Sequence, residues 1–251
     1  MLHCLNQPFP SLLQRLEKLE GMDVELVDDG WHALNTERTS RLREISRRRS
    51  LRFSVHAPFT SLNIASPIDD TRAFFLKRLK KSIESARLLK CNLLVFHPGM
   101  RTGLSPLFPG LDWRTNIESV RKVLSTAESC DVKVAIENCP NKYGFLLSNV
   151  EEFRRFFAEL GEDVGLALDV GHSNLNGQTQ ALIKAFSKKI VHIHAHDNDG
   201  ADDLHTGVGS GSVDWVMLAE EVKKAGFRGT VIVESYSEVS ESIEALKKFF
   251  S

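Results

Sequence analysis

Six apolar runs of this sequence each close on an acid or a histidine: His56 in SVHAPF, His97 in LLVFHPG, Glu137 in VAIEN, Asp169 in GLALDVGH, His194 in VHIHAHD and Glu234 in VIVES. Imidazole and carboxylate are the side chains that move protons near neutral pH and that bind divalent ions. Three carboxylates and three histidines brought to one place would repel or desolvate one another without a cation, and a divalent metal resolves this. Three further candidates lie beyond the runs. His172 follows Asp169 as Asp-Val-Gly-His, and Asp203 and His205 stand together as Asp-Leu-His. With these the candidate ligands are Glu137, Asp169, His194, Glu234, His56, His97, His172, Asp203 and His205, too many for one ion. Two or three adjacent ions bridged by carboxylate would suit the clamping of phosphoryl or vicinal hydroxyl oxygens.

Each residue also has a plainer reading. His192, one strand step deeper than His194, is expected to be a packed core histidine, because depth favours packing. His56, His97, His172 and His196 are alternatively substrate-binding groups that contact hydroxyls directly, and Asp203 and His205 share that alternative. Glu137, Asp169, His194 and Glu234 are expected in the site under every reading.

Positioning such residues requires elements that repeat. Strands are expected at Leu2–Leu5 (weakly), Asp23–Val27, Leu51–His56, Leu93–His97, Val132–Glu137, Val164–Asp169, Ile190–His196 and Thr230–Glu234. Helical patterns fall between them, most clearly at Asp69–Leu89, Asn116–Ser129, Val150–Leu160, Gln180–Phe186, Val213–Ala225 and Val239–Phe250. Asp69, Asp70 and Asn149 are placed to cap helix starts, and Gly161 and Gly226 to end helices. Eight strands each followed by a helix, with no linker between halves, predict an α/β fold: a (β/α)8 TIM barrel, one domain over residues 1–251. Alternation supports this. Along Ile190–His196 one face carries Val191, Ile193 and Ala195 and the other His192, His194 and His196, so an apolar set can pack on helices while a polar set points inward. Chemistry repeated at the same end of successive strands is how a barrel builds an active site.

The bulk properties exclude little else. The chain has 251 residues, 42% hydrophobic and 26% charged, with a formal net charge of −1. That balance gives no global attraction to nucleic acid or anionic membrane. Cys4, Cys91, Cys130 and Cys139 show no CxxC spacing and read as reduced thiols. The opening MLHCLNQPFP lacks a basic segment before an apolar stretch, and no run approaches about 18 apolar residues, so a cytoplasmic protein is expected. Gly207–Gly211 lacks dinucleotide or P-loop spacing and reads as a flexible connection. The basic run Arg41, Arg43, Arg47, Arg48, Arg49 and Arg52 reads as a solvated face. Phe59, Phe108, Trp113 and Tyr143 follow strand ends, where they could wall a pocket or anchor loops.

Together HAPFTSLNIAS, FHPG, AIEN, LDVGH, HAHDNDGADDLHTGVGSG and VIVES resemble the xylose isomerase-like TIM-barrel superfamily. It contains sugar (phosphate) isomerases and epimerases and the AP endonuclease family 2 enzymes typified by endonuclease IV. In the first branch the resemblance implies one divalent ion, often manganese, at Glu137, Asp169, His194 and Glu234, with the two glutamates as acid/base pair. In the second it implies three zinc ions: one at His56, His97 and Glu137, one at Glu137, Asp169, His194 and Glu234, and one at His172, Asp203 and His205. The expected cofactor is thus Mn or Zn, one to three ions per chain. Departures favour the sugar branch. Endonucleases typically carry Asp-Thr-Cys/Ala-His and His-Leu-Asn-Asp where this chain has Asp169-Val-Gly-His172 and His194-Ala-His-Asp197. The chain also leaves little length for DNA-penetrating loops and has no basic cluster after the strands. The reading is a metal-dependent sugar or sugar-phosphate isomerase/epimerase working through an enediolate, with Glu137 and Glu234 catalytic and a small carbohydrate as partner. A multi-zinc phosphodiesterase acting on abasic DNA is the alternative. Barrels of this kind often pair, which leaves a homodimer open.

Overall fold

A computed structural model describes residues 2–250. Its contacts divide the chain into two compact units, one ending at Ala135 and one beginning at Ile136. The first unit opens with a 3-10 turn at Leu2–Cys4, then helix α1 (Phe9–Leu16), strand β1 (Asp23–Val27), a 3-10 turn at Gly30–His32 and helix α2 (Thr36–Arg49). Strand β2 (Arg52–His56), helix α3 (Asp69–Leu89), strand β3 (Leu94–Phe96) and helix α4 (Leu111–Ser129) follow. Strand β4 (Val134–Glu137) spans the boundary. The second unit holds α5 (Val150–Leu160), β5 (Gly165–Asp169), α6 (Val170–Leu175), α7 (Thr179–Phe186), β6 (Ile190–Ala195), α8 (Trp215–Lys224), β7 (Thr230–Val233) and α9 (Val239–Phe250).

Within each unit the strands are parallel and neighbours in space follow chain order, β1-β2-β3 in the first and β5-β6-β7 in the second. Parallel neighbours joined through helices form the winding of a (β/α) barrel. The seven longer sequence-expected strands are present, trimmed by up to two residues at an end. Leu2–Leu5 is not a strand: Leu5 N–H donates to the Leu2 carbonyl at 2.9 Å, a three-residue turn that closes before Pro8. Seven strands are therefore found among the described residues.

Local signals account for most helix ends. Asn149 caps α5 by accepting from Glu152 N–H at 3.0 Å, and Gly161 ends it at φ 69°, a left-handed conformation that glycine adopts without strain. Helix α3 starts after Ile68 with no side-chain cap; Asp69 and Asp70 occupy its first turn, where their charge complements the helix dipole. Helix α8 begins at Trp215 rather than Val213, capped by Asp214 on Met217 N–H at 2.9 Å.

Alternation holds with one correction. Val191 is 39% exposed, because the pairing of β5 with β6 shifts between Leu166↔Ile190 and Ala167↔His192 and leaves Val191 without a partner. Beyond the shift, His192, Ile193, His194 and Ala195 are all buried. The basic run is a solvated face: Arg41 and Arg47 are exposed, Arg48 and Arg49 pair with Glu17, and Arg52 grips Asp23 at 2.7 Å through two nitrogens. No helix among the described residues is long and apolar enough to cross a membrane.

Candidate active site

The second unit gathers eight of the candidate residues. In register Asp169 lies beside His194, so both side chains leave the sheet on the same face of adjacent strands. Glu234 N–H donates to the Ala195 carbonyl at 3.0 Å, placing Glu234 just past the end of β7 and two residues beyond Ile232, the register partner of His194. Glu137 closes β4. All four side chains are buried. His194 Nδ1 has three carboxylate oxygens around it, from Glu137 at 3.5 Å, Glu234 at 3.6 Å and Asp169 at 3.8 Å. These separations exceed hydrogen bonds. Those of Glu137 and Glu234 match the edges of a coordination shell, since ligands about 2.0–2.2 Å from one ion stand roughly 3.0–3.6 Å from each other, and that of Asp169 is slightly longer.

A second group adjoins the first. Asp203 Oδ2 lies 3.3 Å from His172 Nε2 and 3.4 Å from His205 Nε2. Candidate ligand atoms of His172, His196, Asp203 and His205 all fall within 4.8 Å of one another, as do those of Glu137, Asp169 and His172. Two backbone carbonyls orient the histidines. His172 Nδ1 faces the Asn138 carbonyl at 3.0 Å and His205 Nδ1 faces that of Glu234 at 2.8 Å. A carbonyl only accepts, so each Nδ1 carries the proton and each Nε2 is turned toward Asp203. This outer-shell arrangement accompanies metal-binding histidines. Asp203 Oδ1 is buried with no hydrogen-bond partner among the described residues. The donor set, the spacing and the oriented Nε2 atoms thus fit divalent ions.

The loops that carry these groups are braced. Asp169 caps α6 by accepting His172 N–H at 2.6 Å, so the Asp-Val-Gly-His spacing is that of a helix cap and its third residue. Asn138 exchanges both bonds with the Asp169 backbone, at 2.8 and 2.9 Å. His205 sits at φ 47°, a conformation unusual outside glycine, and is held by its Glu234 contact and by Tyr236 N–H on its own carbonyl. Asn138 and Tyr236, whose ring lies 4.9 Å from that of His205, escape sequence reasoning. The only signals are their places beside Glu137 and two residues past Glu234.

Titration follows from this crowding. Burial disfavours the His172 cation, but Asp169, Asp203 and Glu137 outweigh burial and hold its pKa well above the ordinary imidazole value. His205 is raised against the same burial penalty by Asp203, with smaller help from Glu234 and Asp169. Burial opposes ionisation of Asp169 and Asp203, and the neighbouring histidines overcome it and lower both. The Cys139 thiol is pushed well above its usual range by burial and by the charges of Glu137, Asp169 and Asp203, which leaves it no nucleophilic thiolate.

In the first unit His56 and His97 face each other with ring centroids 5.0 Å apart, Phe59 packs on both, and His56 Nδ1 lies 2.8 Å from the Ala57 carbonyl. Trp113 is buried, whereas Phe108 and Tyr143 are exposed. His192 is buried and packs edge-on against His194 at 5.1 Å. The Gly207–Gly211 segment is packed rather than free: Gly209 N–H donates to Asp197, and a Cβ on Gly211 would stand 2.3 Å from the Asn198 carbonyl oxygen.

Comparison with known proteins agrees with the winding. The sequence matches the family described as Xylose isomerase-like TIM barrel over residues 13–249. An uncharacterized protein of Methanocaldococcus jannaschii is 29% identical over 95% of this chain and 85% of its own length. A D-psicose 3-epimerase of Ruminiclostridium cellulolyticum is 25% identical over 72% of this chain and 62% of its own. A probable endonuclease 4 of Mycobacterium leprae is 27% identical over 73% of each. Among solved structures, a D-tagatose 3-epimerase-like protein superposes with a TM-score of 0.90 at 27% identity, covering 98% of this chain and 94% of that one.

Proposed function

The chain belongs to the xylose isomerase-like TIM-barrel family, and from that premise we propose that it is a divalent-metal-dependent sugar isomerase or epimerase. The observation that carries this reading is the convergence of Glu137, Asp169 and Glu234 on His194 Nδ1 within 3.8 Å, all buried. Those four residues would hold the ion. When bound, it supplies Lewis-acid polarisation of a substrate carbonyl and charge stabilisation beside it.

The chain's own residues do the rest. A carboxylate oxygen of one glutamate, Glu137 or Glu234, takes the proton from the carbon next to the carbonyl and leaves an enediolate. The other glutamate, entering in its acid form, gives its proton to the opposite face for epimerisation, or to the neighbouring carbon for isomerisation with the hydroxyl proton passing to the former carbonyl oxygen, and exchange with water restores both carboxyls. Asp169, fixed by Asn138 and by the start of α6, keeps its orientation throughout. His172 and His205 present Nε2 beside Asp203 and serve substrate hydroxyls or a second ion. Manganese is the favoured ion for the first group. Epimerase relatives and the 0.90 superposition support a small carbohydrate substrate. A panel of ketoses and aldoses incubated with Mn-loaded protein tests this: a new epimer or isomer should appear, and absence of product with every sugar under Mn and Zn would refute it.

One observation favours a second reading. Asp203, His172 and His205 complete a further ligand set, and an endonuclease 4 is among the relatives. In that case Glu137 would be among the residues holding zinc ions, which would stabilise charge on the phosphate oxygens in a phosphodiesterase acting on abasic DNA, and nicking of a synthetic abasic duplex lost in Glu137→Gln would establish it.

A further inference from the structure

His196 lies among the second ligand group, yet its ring is badly placed to be a ligand there. It stacks on His205 with centroids 3.7 Å apart and planes 11° from parallel. A histidine nitrogen binds along the plane of its ring, so two cofacial rings do not aim at one ion. What His196 does hold is clear. Its Nε2 lies 3.1 and 3.2 Å from the two oxygens of Asp169, and the ring is fully buried. Nδ1 is buried with no hydrogen-bond partner among the described residues, so Asp169, the His205 face, an edge-on contact with the His172 ring at 5.6 Å and the surrounding packing fix the ring.

That packing is tight on one side. A Cβ at Gly171 would stand 2.0 Å from His196 Cε1 and 2.5 Å from each ring nitrogen. Gly171 cannot easily withdraw, because it sits in the first turn of α6, between the Asp169 cap and His172, and its carbonyl accepts from Asn198 Nδ2 at 2.8 Å. A side chain at 171 must displace either His196 or the turn that aims Asp169 and His172.

We propose that His196 is a positioning residue that clamps one member of each group, Asp169 through Nε2 and His205 through its ring face, and that position 171 is glycine to admit it. This rests on the metal-dependent reading. Outer-shell partners of this sort are worth about 10–100-fold in metal affinity.

The test uses full-length metal-free protein titrated with Co2+ and Zn2+ against a competing chelator, following the Co2+ visible bands, with thermal melting to confirm folding. His196→Ala should bind 10–100-fold more weakly and alter the Co2+ bands, effects that loss of stability elsewhere would not produce. His196→Phe keeps a ring on His205 but loses the Asp169 contact, and should weaken binding while retaining the wild-type melt. Gly171→Ala should weaken binding comparably, and Gly171→Ala/His196→Ala should be no worse than His196→Ala alone. Affinity within twofold of wild type in His196→Ala, or losses that multiply in the double variant, would overturn the clamp alone. Failure of the wild-type protein to bind either ion would instead overturn the metal-dependent reading, and the clamp with it.

Discussion

Removing the carboxylate of Asp197 should destabilise the second unit more than removing any ligand of the candidate site. Asp197 is fully buried and accepts four hydrogen bonds. Oδ1 takes Asn198 N–H at 2.9 Å and Val213 N–H at 3.0 Å, and Oδ2 takes Gly209 N–H at 3.0 Å and the Trp215 indole N–H at 2.8 Å. Its backbone also bridges to Thr206. One side chain thus closes the loop over 198–213 that carries Asp203 and His205 and fastens it to α8. In Asp197→Ala four donors lose their acceptor, three of them buried. At about 1–3 kcal/mol for each buried donor left unsatisfied, the loss is on the order of 3–9 kcal/mol, against a whole-protein stability of roughly 5–15 kcal/mol. Asp197→Asn keeps the shape but turns an N–H2 toward two donors, for about 2–6 kcal/mol on the same scale. Urea midpoints at constant m-value measure the change, and hydrogen exchange at Asn198, Gly209 and Val213 locates it. A shift below about 1 kcal/mol for Asp197→Ala, within the range of ordinary surface substitutions or little beyond it, would refute the reasoning.

Three further outcomes are expected. Because His172 and His205 are raised above the ordinary imidazole value by neighbouring carboxylates, each must lose a proton before Nε2 can bind an ion. Metal affinity should therefore rise with pH from about 6 to 8 and binding should release protons, seen as buffer-dependent heats in calorimetry; pH-independent binding without proton release would contradict it. Chelation should lower the melting temperature and Mn or Zn should restore it, by about 2.7 kcal/mol at a hundredfold excess over Kd; a melt indifferent to both ions would count against an ion held by the folded state. Cys139 should resist alkylation in the native protein and react on unfolding, and Cys139→Ser should keep turnover within tenfold, whereas a hundredfold loss would give the thiol a role that its burial opposes.

Most of the architecture was legible in the residues because each strand run is short, largely apolar and followed by an amphipathic stretch, and because the polar members fall on one parity. Leu2–Leu5 misled because so short a run as Leu-His-Cys-Leu fits a strand or a turn equally well, and a local hydrogen bond decides between them. Val191 broke the parity through a one-residue register shift that periodicity does not encode. The candidate site residues Glu137, Asp169, His194 and Glu234 stand out by type and position, and the structure brings them together. Asn138, Tyr236 and Asp197 did not, since an Asn after a Glu or an Asp after a His acquires meaning only when its partners are placed. His196 could be read as ligand, substrate group or support from the sequence alone, and only the ring stacking on His205 and the closeness of Gly171 separate these.

Proton exchange at the substrate carbon tests the central claim most directly. Ketose incubated with Mn-loaded protein in D2O should acquire deuterium at the carbon beside the carbonyl, followed by proton NMR. Glu137→Gln and Glu234→Gln should each slow this by about 10²–10⁴-fold while melting like wild type. Exchange at the wild-type rate in either variant would contradict the acid/base assignment, and no exchange with any sugar, alongside cleavage of an abasic duplex, would contradict the account as a whole.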